Sequence, residues 1–287
     1  MFKKYDQETL HKVQEVNLAI YKDFAELCNK HNIEYFAISG TSIGAQRHQG
    51  FIPWDDDIDI AMLRDEYDKF IAVAKEELMD KYYLMGPEFN HGYYNLKPHL
   101  VLKNTVFVTD VAWASGYRPG FFLDLFVYEN VPEDDTELKK YAKQCKIATV
   151  LWFAYHVHFM KLLDTQKSAV GKAKYLISSA LGVILRRIPG CEKKLWNFYK
   201  SLSEKYRGKT GRYSALTDYG MTYMYVNEDE IHPLVELPFE DTTMKLVHEY
   251  KKQVSRHMGS DYMQLPPVEK RTNHFPKELD FGDFKFE

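Results

Sequence analysis

The sequence predicts an α+β protein, a mixed strand-and-helix core flanked by helices, with an added helical region. Three observations lead there. Through the first 132 residues, β-branched and aromatic runs alternate with stretches of helical periodicity. From Glu133 to about residue 207 only helical periodicity remains, and after that the pattern is mixed again. These shifts divide the 287 residues into a core at 1–132, a helical region at 133–210 packed on it, and a mixed C-terminal segment at 211–287 that completes it.

Each element follows from its local pattern. Residues 6–30 form an amphipathic helix, with Leu10, Val13, Val16 or Asn17, Ile20, Phe24 and Leu27 at helical spacing. Asn32 breaks it, and IEYFAIS follows as a strand that ends at Gly40. Thr41 and Ser42 can cap a short helix, IGAQRH. HQGFIPW is a loop, DIDIAML a strand with alternating faces, and RDEYDKFIAVAKEEL a helix with Tyr67, Phe70, Ile71 and Ala74 on one side. YYLM, NLKPHLVLK and TVFVTDV read as short strands, GYRPG as a turn and FFLDLFVY as a strong strand. Three helices follow, broken near Thr165 and at Pro189-Gly190. Beyond them lie a Gly/Tyr-rich stretch (TDYGMTYMY), a short strand near LPFE, a helix over 244–258 and a proline-containing tail from QLPPVEK onward.

Composition narrows the function classes. A net charge of −3 provides no global basic field, which argues against nucleic acid as a partner. Three scattered cysteines, Cys28, Cys145 and Cys191, form no CxxC pair and fit a reducing compartment, not a disulfide framework or a zinc site. The N-terminal MFKKYDQETLHK has no apolar signal region, and no run reaches the roughly 18 uncharged apolar residues of a membrane span. The expectation is a cytoplasmic protein.

One stretch carries the chemistry. GTSIGAQRHQGFIPWDDDIDIAM packs Asp55, Asp56, Asp57 and Asp59 into five residues, an arrangement that is unfavourable unless a cation sits among them. Residues two apart in a strand share a face, so Asp57 and Asp59 project together while Ile58 and Ile60 enter the core. Such a pair suits a hard divalent cation, Mg²⁺ or Mn²⁺. Asp124, the single charge inside FFLDLF, is the candidate third carboxylate. Asp55 and Asp56 by themselves are as readily a solvated face. An EF-hand is rejected because Ile60 stands where the loop needs glycine, and a DxD glycosyltransferase because too little chain precedes the motif. Gly40, Thr41 and Ser42, at a strand end and helix start, can hold a phosphate on backbone N–H groups, and Arg47 can neutralise its oxygens.

The block GTSIGAQRHQGFIPWDDDIDIAMLRDEYDKF resembles the signature of the LicD phosphotransferase family, whose core is similar to that of the nucleotidyltransferase superfamily; FFLDLF, LPFE and YMQLPPVEKRTNH resemble its downstream elements. The matching pieces run from Ile33 to His274, and the middle carries no matching motif. The resemblance implies a nucleotidyltransferase-like mixed sheet and metal-dependent transfer of a phosphorylated alcohol. The first expectation is phosphocholine from CDP-choline, passed to a hydroxyl of a cell-surface glycan, lipid-linked glycan or teichoic-acid precursor. Ribitol or glycerol phosphate from the matching CDP-alcohol is an alternative, as is attachment of a nucleoside monophosphate from an NTP. Carried over by position, Gly40, Thr41 and Ser42 match the phosphate loop, Asp57 and Asp59 the metal pair and Asp124 the third acid, read as a ligand before a base. Arg47, Arg118 and Arg271 are candidate phosphate or cytidine contacts, and His274 lies in the matching tail. Trp54, Trp113 and Tyr117 are candidates for an aromatic cage around a quaternary ammonium, against a more common role as core.

The apolar stretch KAKYLISSALGVILRRI is bracketed by Lys172, Lys174, Arg186 and Arg187. Its first reading is a buried core helix with basic ends; its second is a peripheral contact with an anionic membrane, which would set the protein at the inner membrane face.

Overall fold

A computed structural model describes residues 5–217 and 220–286. Asp218 and Tyr219 of the Gly/Tyr-rich stretch, and the first four residues of the N-terminal reading, lie outside that range. The chain is a mixed α+β structure around one twisted sheet. Asp6 caps the first helix, α1 (Gln7–Lys30), its carboxylate accepting from Thr9 N at 2.8 Å. The apolar face of α1 (Val13, Val16, Ile20, Phe24) is fully buried. A short strand β1 (Phe36–Ala37) leads directly into α2 (Ser39–Arg47). The loop over 48–58 returns the chain to β2 (Asp59–Leu63), which pairs antiparallel with β1, and α3 (Arg64–Glu77) follows.

The sheet continues with β3 (Tyr82–Met85), β4 (His99–Leu102) and β6 (Phe122–Asn130), in the spatial order β1-β2-β6-β4-β3. Between β4 and β6 come β5 (Val106–Val108) and α4 (Asp110–Ser115). β6 is the central strand, parallel to β2 and antiparallel to β4. After the helical region, β7 (Arg212–Ala215) pairs with the far half of β6, and β8 (Val226–Asn227) pairs with β7. β9 (Val235–Phe239) and β10 (Thr242–Leu246) form a hairpin, α8 (Tyr250–Met258) follows, and β11 (Glu278–Asp280) closes back on β5.

The helical region consists of α5 (Asp135–His156), α6 (Ala169–Arg186) and α7 (Cys191–Lys205), with a 3₁₀ segment at Phe159–Thr165. Leu138, Tyr141, Cys145 and Trp152 of α5 meet Leu195, Tyr199 and Leu202 of α7 in a second core that also takes in Leu96 and Leu216. The Trp152 indole donates to Tyr93 O at 3.1 Å, tying this core to the loop before β4. All three cysteines are buried thiols.

Several local expectations are corrected. The second helix starts at Ser39, not at residue 43, so Gly40, Thr41 and Ser42 lie in its first turn and Thr41 and Ser42 do not cap it. TVFVTDV is strand only to Val108, because Thr109 accepts from Ala112 N and starts α4, which Gly116 ends at φ 85°. The helix expected over 244–258 begins at Tyr250; Met244 and Leu246 are buried alternating residues of β10. α6 is not a buried core helix: it buries only Gly182 and Leu185. A Cβ at Gly182 would come 2.1 Å from Ala154 O, so this glycine sets the contact with α5 while the other side faces outward. Among the described residues no helix is long and apolar enough to cross a membrane.

Candidate active site

Register brings the acids together. Asp59 opens β2 and stands opposite Asp124 of the parallel strand β6, while His99, the first residue of β4, faces Asp124 from the other side. Asp57 lies two residues before Asp59, and oxygens of Asp57, Asp59 and Asp124 fall within 4.8 Å of one another. Asp55, Asp56, Asp57 and His274 form a second such group. Asp56 is no solvated residue: it is 1 % exposed and receives His274 N at 2.9 and 3.1 Å. The His274 ring sits 3.2 Å from Asp56 and 3.3 Å from Asp57. Helix α1 holds the run from below, Gln14 donating to Asp55 O at 2.8 Å and Asn17 to Asp56 O at 2.6 Å.

The N-terminus of α2 meets the same edge. Ile38 N donates to Asp59 O at 3.2 Å, and Asp59 N donates to Thr41 Oγ1 at 2.8 Å. Ser39 holds a left-handed φ of 51°, a conformation a non-glycine residue adopts at a cost. Gly40 has no room for a side chain, since a Cβ would lie 2.5 Å from Asp55 Oδ2. Ser42 is fully buried and within reach of Gln46 Nε2 at 3.2 Å.

Electrostatics separates the carboxylates. Burial first, and then the neighbouring acids, push the Asp55 carboxyl up to about 8. Burial also raises Asp57, to about 6 against the pull of His274, and holds Asp59 well above the carboxylate range. Asp124 goes the other way. Burial alone would raise it, but Lys97 and His99 outweigh burial and hold it below the usual range. Lys97 Nζ lies 2.5 Å from Asp124 Oδ2, and His99 Nε2 lies 2.7 Å from Oδ1. Tyr93 OH contacts the other ring nitrogen of His99. Burial lowers the His99 pKa, so the neutral ring presents Nε2–H to Asp124 and accepts from Tyr93.

Asp57, Asp59, Asp124 and Lys97 line a cavity of about 450 Å³, a ligand-sized volume. Ser39, Asp57, Asp59, Asp124, Lys97 and His274 provide its polar wall, and Phe107, Phe122, Phe126, Tyr223 and Met224 the apolar one. Of the residues singled out from sequence, Asp56, Asp57, Asp59, Asp124 and His274 line it. Gly40, Thr41 and Ser42 are not among the lining residues; Thr41 reaches the site only through the hydrogen bond it accepts from Asp59 N. Arg47, Trp54 and Arg271 are not among the lining residues: Arg47 donates to Tyr262 O at 2.6 Å and Gln264 O at 3.1 Å, and Arg271 stacks on Trp54 at 4.5 Å. Arg118 pairs with Glu278 at 2.7 Å on the surface. Trp113 and Tyr117 form no cage: Lys277 and Lys161 cover Trp113, at 4.0 and 5.4 Å, and Tyr117 OH donates to His91 O. Sequence reasoning missed Lys97, His99, Ser39 and the phenylalanine wall. Lys97 and His99 left a signal, since two cationic-type residues two apart at a strand start share a face.

The donors fit a hard divalent cation. The three carboxylates Asp57, Asp59 and Asp124 offer oxygens only, clustered within 4.8 Å and mutually repulsive without a cation. A mixed sheet with Asp59 opening β2, Asp57 just before it and Asp124 on β6, beside a helix N-terminus, is the arrangement of a nucleotidyltransferase-type domain. A family model described as "LicD/FKTN/FKRP, nucleotidyltransferase domain" matches residues 32–159. The chain is 29% identical over 273 residues to the lipopolysaccharide cholinephosphotransferase LicD of Haemophilus influenzae, covering 94% of this chain and 97% of that one. It is 30% identical to an uncharacterized protein of Rickettsia prowazekii over 38% of this chain and 42% of the other. These similarities support a LicD family phosphotransferase.

Proposed function

We propose that the protein transfers phosphocholine from CDP-choline to a hydroxyl of a cell-surface glycan, with a lipopolysaccharide or teichoic-acid precursor as the acceptor class. The observation that carries this reading is the convergence of Asp57, Asp59 and Asp124 on one wall of a ligand-sized cavity. Full-length similarity to a lipopolysaccharide cholinephosphotransferase supports the choice of choline and of a glycan acceptor.

In the proposed reaction the acceptor oxygen attacks the phosphorus that bears choline. A new P–O bond forms, the bond to the bridging diphosphate oxygen breaks, and CMP leaves with that oxygen. The hydroxyl proton passes to a carboxylate of the cluster. Asp124 suits this base role least, because Lys97 and His99 keep it ionised. Asp57, Asp59 and Asp124 would hold Mg²⁺ or Mn²⁺, which supplies charge neutralisation at the diphosphate when bound. Lys97 adds a positive charge at the same wall, and the α2 N-terminus at Ser39 and Gly40 offers N–H donors to phosphate oxygens. Phe107, Phe122 and Tyr223 give the cavity the aromatic faces that a quaternary ammonium needs, having no hydrogen to donate.

Incubation with CDP-choline, Mg²⁺ and a glycan acceptor tests this. Release of CMP with choline phosphate on the acceptor is expected. Pyrophosphate release from an NTP, with CDP-choline inert, would point to nucleotidyl transfer instead, and turnover of CDP-ribitol or CDP-glycerol alone would change the alcohol.

A further inference from the structure

We propose that α6 is a docking element that seats the protein on an anionic lipid bilayer. The inference stands apart from the reading of the acidic cavity. Val170, Ile177 and Ile184 are 65, 68 and 59 % exposed. They recur at intervals of seven, so they form one stripe along the helix. Leu176 and Val183 widen the stripe, and Ile188 extends it past the last turn. On the other side, Gly182 and Leu185 attach α6 to the rest of the fold. The stripe is therefore held outward by packing behind it, and it is too apolar to be an ordinary solvated face.

Charge says what covers it. No Asp or Glu occurs between Asp164 and Glu192, whereas Lys167, Lys172, Lys174, Arg186 and Arg187 all fall in that interval. Lys172 and Lys174 flank the stripe, and Arg187 lies at its C-terminal end, all exposed. The partner must then be apolar at its centre and negative around it. A bilayer interface offers both, with the acyl boundary for the isoleucines and anionic headgroups for the lysines and arginine. A second copy would bring the same positive rim against itself, so like charges oppose that occupant. A surface of this kind would hold the enzyme where a lipid-linked acceptor is presented.

The test is vesicle flotation of the full chain. Phosphatidylglycerol-containing vesicles should carry the protein upward at low salt, pure phosphatidylcholine vesicles should not, and high salt should release it. Ile177→Asp combined with Ile184→Asp should weaken binding at least tenfold. Lys172→Gln, Lys174→Gln and Arg187→Gln should each cost about fivefold. These positions are exposed, so thermal midpoints should stay near the unmodified value; the glutamine set decides should the aspartate pair fail to fold. An environment-sensitive dye on Ile177→Cys should shift to the blue on anionic vesicles. Protein that stays at the bottom of the gradient, binding indifferent to headgroup charge, or a dimer split by the aspartate pair would each overturn the proposal. No readout uses catalysis, so none of these outcomes bears on the acidic site.

Discussion

Replacing Lys97 by methionine isolates the ion pair on which the site's charge balance depends. Nζ lies 2.5 Å from Asp124 Oδ2, and the two side chains are 18 and 9 % exposed. Removing one partner of a buried pair costs about 3–5 kcal/mol, because the other charge stays buried and unpaired. Methionine keeps an apolar stem against Phe126, and Asp124 retains His99, so the low end applies, about 3 kcal/mol. For a chain of this size that is a fall in Tm of roughly 6–12 °C. Asp124 has a depressed folded pKa, so its stabilisation is present above its ordinary pKa and is lost as pH falls below that value. In Lys97→Met the carboxyl titrates at higher pH, and the acid limb of stability moves up with it. Urea denaturation in EDTA, run on the single variants and on Lys97→Met/Asp124→Asn, should give a double variant less destabilised than the sum. Mg²⁺ should restore much of the loss in Lys97→Met by supplying a cation to the same oxygens. A Lys97→Met protein within about 0.5 kcal/mol of the unmodified one in EDTA, or an additive cycle, would refute the reasoning.

Three further outcomes are expected. A Cβ at Gly44 would lie 2.4 Å from Gly50 O, and backbone cannot swing aside, so Gly44→Ala should cost about 1–3 kcal/mol by denaturant titration. The His274 pKa is raised to about 10, chiefly by its hydrogen bond to Asp56 and against the opposing effect of burial. Its stabilisation is therefore complete below about 6.5 and fades as pH rises towards 10, and His274→Ala in EDTA should show a flatter stability profile across that window. Glu230, with a carboxyl lowered to about 2 as Arg256 and Lys252 outweigh burial, stabilises above its ordinary pKa near 4.3; Glu230→Gln should remove the slope between about pH 4 and 2.

What the sequence disclosed depended on how local the signal was. Asp57, Asp59 and Asp124 were legible because an acid inside an alternating apolar strand contradicts its surroundings. Lys97 and His99 left only the signal of a shared face, because basic residues at a strand start read as solvated until the register sets them against Asp124. Arg47 was misplaced by a helix boundary. With α2 starting at Ser39, eight residues of rise put Arg47 about 12 Å from the N-terminal end. Whether α6 is a core helix or an outward one was left open for a different reason: periodicity gives a helix two faces but not which one its neighbours cover. Met244 was drawn into a helix because a short apolar run fits both periods, and only its pairing with Leu237 decides.

The central claim is that Asp57, Asp59 and Asp124 share a divalent ion. A crystal grown with Mn²⁺ and CDP-choline, measured for anomalous scattering, tests it directly. A peak bounded by those three carboxylates with the diphosphate against it is expected; a peak elsewhere, or bound CDP-choline with no metal beside it, would contradict the shared-ion site.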